Sequence, residues 1–199
     1  MFRLGLTGSI ASGKSTVLRE FAARGVPVFS SDEAVHELYR GEAVPVVEAL
    51  FPGVSHKGEI DRAELSRRIL EEPERLAELE AAVHPLVRAR MRRFLDEAEI
   101  AGAPLAVVDV PLLFETGFDY GLDAVAITYA PDQVIRERAL ARPGMTVEKL
   151  DAILPRQMSQ DEKRKRADYV LETGGSIANL GQAVGALIET LVQGQKDSE

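Results

Sequence analysis

Five short apolar runs punctuate the chain: RLGLT (3–7), VPVFS (26–30), PLAVVDV (104–110), AVAITY (124–129) and YVLE (169–172). The segments between them carry apolar residues at helical spacing instead. Short, nearly continuous apolar runs that alternate with amphipathic helices are characteristic of strands buried on both faces, which is how parallel strands sit in a sheet covered by crossover helices. The pattern therefore predicts an α/β fold, a five-stranded parallel sheet with helices on both faces.

Two intervals exceed an ordinary crossover. Residues 32–103 read as helices throughout, in DEAVHELYR, EAVPVVEALF and the long stretch from Asp61 onward, with FPGVSHKGEI (51–60) as a linking loop. Asp61 with Glu64 resembles a capping box, Pro73 opens a turn, and Pro85 after His84 marks an expected helix boundary. A second excursion, 136–166, contains a Pro-Gly turn and Thr146 as a helix cap, and reads as a mobile helical lid. The expected organisation is a single domain: a core of 1–31 with 104–135 and 167–193, a helical subdomain of 32–103, and the lid. The final GQKDSE is expected to be disordered.

Composition narrows the class. At 199 residues, 45% hydrophobic and 28% charged, the chain is long enough for one continuous core. It has no cysteine, so no thiolate nucleophile, disulfide or Cys-based zinc site is available. The first strand starts almost at the first residue and no apolar run approaches the length of a membrane span, so the expectation is a cytoplasmic protein with no membrane partner. A net charge of −8 argues against nucleic acid as a partner. Residues 136–166 go the other way, with nine Lys or Arg against five acids, net +4. Oligomeric state is left open, and a monomer is compatible with everything above.

Directly behind the first apolar run, Gly8, Gly13, Lys14 and Ser15 satisfy G-x-x-x-x-G-K-[ST] in a strand–loop–helix context. A loop that wraps a polyphosphate turns successive backbone N–H groups inward where a Cβ obstructs approach, and the following helix adds its positive end. Gly8, Ser9, Ile10, Ala11, Ser12, Gly13, Lys14, Ser15 and Thr16 are thus the expected cradle of a nucleoside triphosphate, with Lys14 on the β and γ phosphates and Ser15 on Mg²⁺. Such a loop belongs to the P-loop NTPases.

Phosphoryl transfer asks a protein for positioning, a cation and a group that orients the nucleophile. Asp32 follows the second strand, at the sheet edge where open α/β folds hold ligands, and could take a proton from an acceptor hydroxyl or merely cap a helix. Asp109 ends the third core strand, as a carboxylate that holds Mg²⁺ would, with Glu115 a second candidate. Arg142 and Arg156 in the basic segment suit bidentate phosphate contact. Two rivals remain at this point: a kinase of another small acceptor such as a nucleoside monophosphate, and a GTP-dependent switch. The switch would call for NKxD and DxxG signatures, and neither is present.

The segments GLTGSIASGKST, VPVFSSDEAVHEL, GEIDRAELSRRIL, LEAAVHPLVR, VVDVPLLFETGFD, RALARPGMTVEKLDAILPRQMS and ADYVLETGGS follow one another in an order and spacing that resembles the dephospho-coenzyme A kinases, a nucleoside-monophosphate-kinase-like P-loop family, over roughly residues 2–190. The resemblance implies ATP as phosphoryl donor, Mg²⁺ and dephospho-coenzyme A as acceptor. It also implies Asp32 as the base on the ribose 3′-hydroxyl, Arg142 with Arg156 over the phosphates, His84 and Arg88 near the acceptor in a coenzyme A subdomain, and the Thr173, Gly174, Gly175 stretch along the adenine. Two departures from the family pattern stand out. Ala11 occupies a position where glycine is common, acceptable if the residue needs no positive φ, and ETGGS replaces an Asp-Asn-rich turn.

Overall fold

The computed structural model describes residues 1–196. In chain order, β1 (Phe2–Gly8) runs into α1 (Lys14–Ala22), and β2 (Val28–Ser30) into α2 (Ser31–Leu38). Then come α3 (Val44–Leu50), a hairpin of β3 (Ser55–His56) and β4 (Glu59–Ile60), α4 (Arg62–Glu71) and α5 (Leu76–Ile100). After β5 (Leu105–Asp109), α6 (Leu113–Thr116) and β6 (Ala124–Tyr129), three short helices follow, α7 (Asp132–Leu140), α8 (Val147–Ile153) and α9 (Gln160–Arg166). The chain closes with β7 (Tyr169–Glu172) and α10 (Ile177–Lys196). The expected tail divides: Gly194–Lys196 extend α10, and residues 197–199 lie outside the described residues.

The packing forms two units, Ser30–Asp96 on one side and Met1–Phe29 with the chain from Glu97 onward on the other. In the larger unit the sheet order is β2-β5-β1-β6-β7. The pairings of β1 with β5 and β6, and of β6 with β7, are parallel. All five apolar runs became strands; the three central ones, β1, β5 and β6, are buried on both faces, while β2 and β7 at the edges are only partly buried. Leu4, Leu6, Leu105, Val107 and Ala126 join Val17, Phe21, Val184 and Leu187 of α1 and α10 in one core, while the alternate residues Ala106, Val108 and Ile127 are buried on the opposite face. Parallel pairing puts every strand's carboxyl end on one edge, with Leu6 level with Asp109 and Gly8 level with Thr128. The loop between β1 and α1 sits on that edge. No helix among the described residues is long and apolar enough to cross a membrane.

The smaller unit is helical except for the β3–β4 hairpin, which sequence reading took for a plain loop. Its turn uses Lys57 and Gly58, both with positive φ (53° and 82°), as a two-residue hairpin turn requires. Glu48 accepts the Gly53 and Ser55 amides at 2.6 and 2.8 Å, bonds that hold its carboxyl below the usual range. The expected capping box is half formed. Asp61 caps α4 by accepting from the Ala63 and Glu64 amides, but Glu64 turns to Arg67 and Arg68, whose hydrogen bonds lower its pKa to about 2.

Pro85 does not end a helix: α5 runs through it. The missing N–H and the ring's clash cost about 3 kcal/mol. The stripe Leu79, Val83, Val87, Met91, Leu95 is buried along the helix, each side chain worth about 1.5–3 kcal/mol, which outweighs that cost.

Candidate active site

The loop of residues 8–13 is built against the sheet edge from behind. A Cβ on Gly8 would collide with the Thr128 hydroxyl and stand 2.6 Å from Ser12 Oγ; one on Gly13, where φ is 96°, would press on Thr173 at 3.0–3.2 Å. Both glycines are therefore required by the protein's own packing as well as by any phosphate in front. Beneath the loop lies a buried hydroxyl chain. Ser12 Oγ and Thr128 Oγ1 share a 2.5 Å hydrogen bond, and Thr173 Oγ1 donates to Ser12 O at 2.6 Å and lies 3.0 Å from Tyr129 O. In front, Lys14 Nζ curls back to Gly8 O at 3.1 Å, placing its ammonium over the loop. Ser15 is exposed in the first turn of α1, whose positive dipole end begins directly behind the loop. The arrangement can hold a polyphosphate by backbone donors, one ammonium and a helix terminus.

Asp109, 4% exposed, ends β5 beside β1. Together with the Ser15 hydroxyl it supplies hard oxygen donors of the kind Mg²⁺ takes, and among the described residues no three His, Cys, Asp or Glu converge on a metal position. A cation sharing phosphate oxygens and water needs only one or two protein oxygens, so the residues present fit it. Glu115 is otherwise engaged. Its Oε1 lies 2.8 Å from Lys163 Nζ and accepts the Met158 amide at 2.8 Å. Burial pushes its carboxyl up, but the Lys163 and Met158 contacts prevail and hold it below the ordinary value.

Residues 136–166 turn out less available as an anion clamp than their charge suggests. Lys163 is buried at 1% exposure, Arg136 pairs with Asp151 at 3.0 Å, Arg138 donates to Thr173 O at 2.8 Å, and Arg164 lies over the Tyr129 ring. Arg142 and Arg156 are exposed, just beyond α7 and at the end of the turn after α8. The segment grips the loop by other residues. Ile10 N donates to Gln157 Oε1 at 2.9 Å, and Ala11 packs with Ala139 and Leu150. Sequence reading passed over Gln157 and Lys163 because neither a glutamine beside an arginine nor one lysine in KRKR carries a signal of its own.

Three expected site residues belong to the smaller unit. Asp32 is exposed in the first turn of α2 and does not cap it; the cap is Ser30, whose hydroxyl accepts from Glu33 N at 3.3 Å. His84 and Arg88 lie one turn apart on α5, the first exposed and the second half-buried.

The dephospho-CoA kinase family model matches residues 2–179. This chain belongs to the dephospho-CoA kinase family. A dephospho-CoA kinase of Rhodopseudomonas palustris is 51% identical over 189 residues, 95% of each chain. Among solved structures, a Thermus thermophilus protein matches with a TM-score of 0.79 and 38% identity over 96% of this chain and 97% of its own. The dephospho-CoA kinase from Campylobacter jejuni matches with 0.66 and 25% over 95% and 96%. Membership makes the chain a phosphotransferase of the P-loop class and removes the GTP-switch reading. Within this family member, the alanine in the phosphate loop does need a positive φ: Ala11 sits at 58°. The condition under which the substitution would have been free of strain is not met, and its methyl is buried against the 136–166 segment.

Proposed function

We propose that the chain transfers the γ-phosphoryl group of ATP to the ribose 3′-hydroxyl of dephospho-coenzyme A, giving coenzyme A and ADP, with Asp32 as the base. The observation that carries the site assignment is the phosphate loop: glycines fixed by the sheet edge, Lys14 folded over Gly8 O, and the amino end of α1 behind it. Backbone amides and Lys14 hold the phosphates in place, and Arg142 and Arg156 bring further positive charge to the transferring group. Asp32, exposed and relieved of capping by Ser30, is free to accept the hydroxyl proton as the oxygen attacks phosphorus in line and ADP leaves. Ser15 and Asp109 would hold Mg²⁺, which when bound neutralises phosphate charge. His84 and Arg88 would contact the acceptor, and the backbone around Thr173, Gly174 and Gly175 would border the adenine, the Thr173 hydroxyl being committed to the loop.

A mass-resolved assay with Mg²⁺-ATP tests this, offering dephospho-coenzyme A, AMP, CMP or shikimate separately. Phosphate gained by dephospho-coenzyme A alone supports the reading; gain by another acceptor overturns it. Asp32→Asn is expected to retain ATP binding by calorimetry while losing about 10²–10⁴-fold in turnover. Intact transfer in that variant would remove Asp32 as the base.

A further inference from the structure

Gln157 is the first residue after the turn that ends α8, and its side chain leaves the 136–166 segment to reach the phosphate loop. The Ile10 N–H donates to its Oε1 at 2.9 Å, so this amide is directed at the lid segment, out of the set that can turn toward a phosphate. The next residue, Met158, is fixed in turn: its amide donates to Glu115 Oε1, and Glu115 is paired with the buried Lys163. Residues 157–158 are thus clamped between the phosphate loop and the chain after β5. On the same side, Ala11 with its left-handed backbone packs among Ala139, Leu150, Ile10, Leu140 and Met145.

A non-glycine residue at positive φ is strained by its Cβ, and left alone the peptide between Ile10 and Ala11 would relax by turning. The Gln157 bond and the apolar contact oppose that turn. We propose that Gln157 is a positioning residue that holds the phosphate loop in its binding conformation from the lid side, with Glu115 and Lys163 as its anchor. A loop held in this way does not have to be ordered by the nucleotide, and the benefit appears as ATP affinity. The inference rests on residues 8–16 holding ATP.

The test compares Gln157→Met, equal in length but without the acceptor oxygen, with Gln157→Glu, which keeps one. Amide hydrogen exchange at Ile10 is followed by NMR in the nucleotide-free full chain, alongside steady-state kinetics. In Gln157→Met the Ile10 amide is expected to exchange faster and KM for ATP to rise about 3- to 10-fold, with KM for dephospho-coenzyme A and the melting temperature unchanged. Gln157→Glu should restore the protection. An unchanged Ile10 exchange rate overturns the proposal. So does an ATP KM that stays level, or one that falls, since a fall would mean the glutamine competes with phosphate for the amide. Failure of the loop reading itself is separable: it would appear as normal ATP turnover in Lys14→Ala, whatever the Ile10 exchange shows.

Discussion

Gly8 and Ala11 stand three residues apart in one loop and face opposite constraints. A methyl on Gly8 meets the Thr128 hydroxyl and the Ser12 side chain, both bonded to each other in a buried position with no room to yield. Gly8→Ala is expected to cost at least about 1–3 kcal/mol as overpacking, read as a lower melting temperature together with lost ATP binding. Ala11→Gly should be nearly silent in stability. Relief of the left-handed strain gains about 1–2 kcal/mol, but losing the buried methyl costs about 0.8 kcal/mol and the freer unfolded chain costs about 0.4–1 kcal/mol more. Thermal melts of the two variants side by side check the contrast. The motif pattern marks Gly8 as required and is silent on Ala11, since a regular expression records residue types and not the φ each position adopts.

Among the elements, those with two buried faces were legible and those decided by one partner were not. β6 falls on the apolar run AVAITY to the residue, because burial on both sides leaves no alternative register of hydrophobicity; β7, at the sheet edge, matches YVLE while only partly buried. The β3–β4 hairpin has two residues per strand and a Lys-Gly turn, too short for periodicity to show. The sequence predicts a break at Pro85 where α5 is continuous, because a local rule for proline competes with a buried stripe that only packing reveals. The Glu115–Lys163 pair had no sequence signature at all, its members being 48 residues apart. It also offers a directional test. Glu115→Gln leaves a fully buried ammonium without its counter-ion and should destabilise by about 3–5 kcal/mol. Lys163→Met leaves a carboxylate that still accepts the Met158 amide and should cost less, and the double variant should recover part of the loss. Denaturant titration ranks the three. The pH dependence has a fixed sign, because the Glu115 pKa is lowered in the fold. Its contribution is present above the unfolded value of about 4.3 and is lost as pH falls through the folded value. Wild type should therefore lose more stability below about pH 4 than Glu115→Gln does.

For the molecule as a whole, an acidic chain that handles polyanions has to confine its positive potential to the sheet edge. Net charge by segment overstated how much of it residues 136–166 provide, since Lys163, Arg136 and Arg138 already have partners. Arg142→Ala is expected to lower kcat/KM for ATP by about 10-fold or more, whereas Arg166→Ala, exposed in the last turn of α9, should leave it unchanged. Equal effects of the two in steady-state assays would assign the basic segment a diffuse role instead of a specific one.

The central place of β1 in the sheet bears on how the protein is made. Phe2 pairs with Leu105 and Leu4 with Ala124, so the strand synthesised first has no partner until more than half the chain has left the ribosome. The partners that shape the phosphate loop's glycines, Thr128 and Thr173, follow so much later that at about 5–20 residues per second the loop waits roughly 6–30 s for them. Residues 31–96 find hydrogen-bond and ion-pair partners within their own segment, as between Arg90 and Glu37 or Arg75 and Leu50 O, and can gather helical structure during that interval. A nascent chain stalled near residue 100 should bind no ATP on a nucleotide column, and one stalled far enough past Glu172 to clear the exit tunnel should bind it, making nucleotide capture a late event in the birth of a protein whose nucleotide motif comes first.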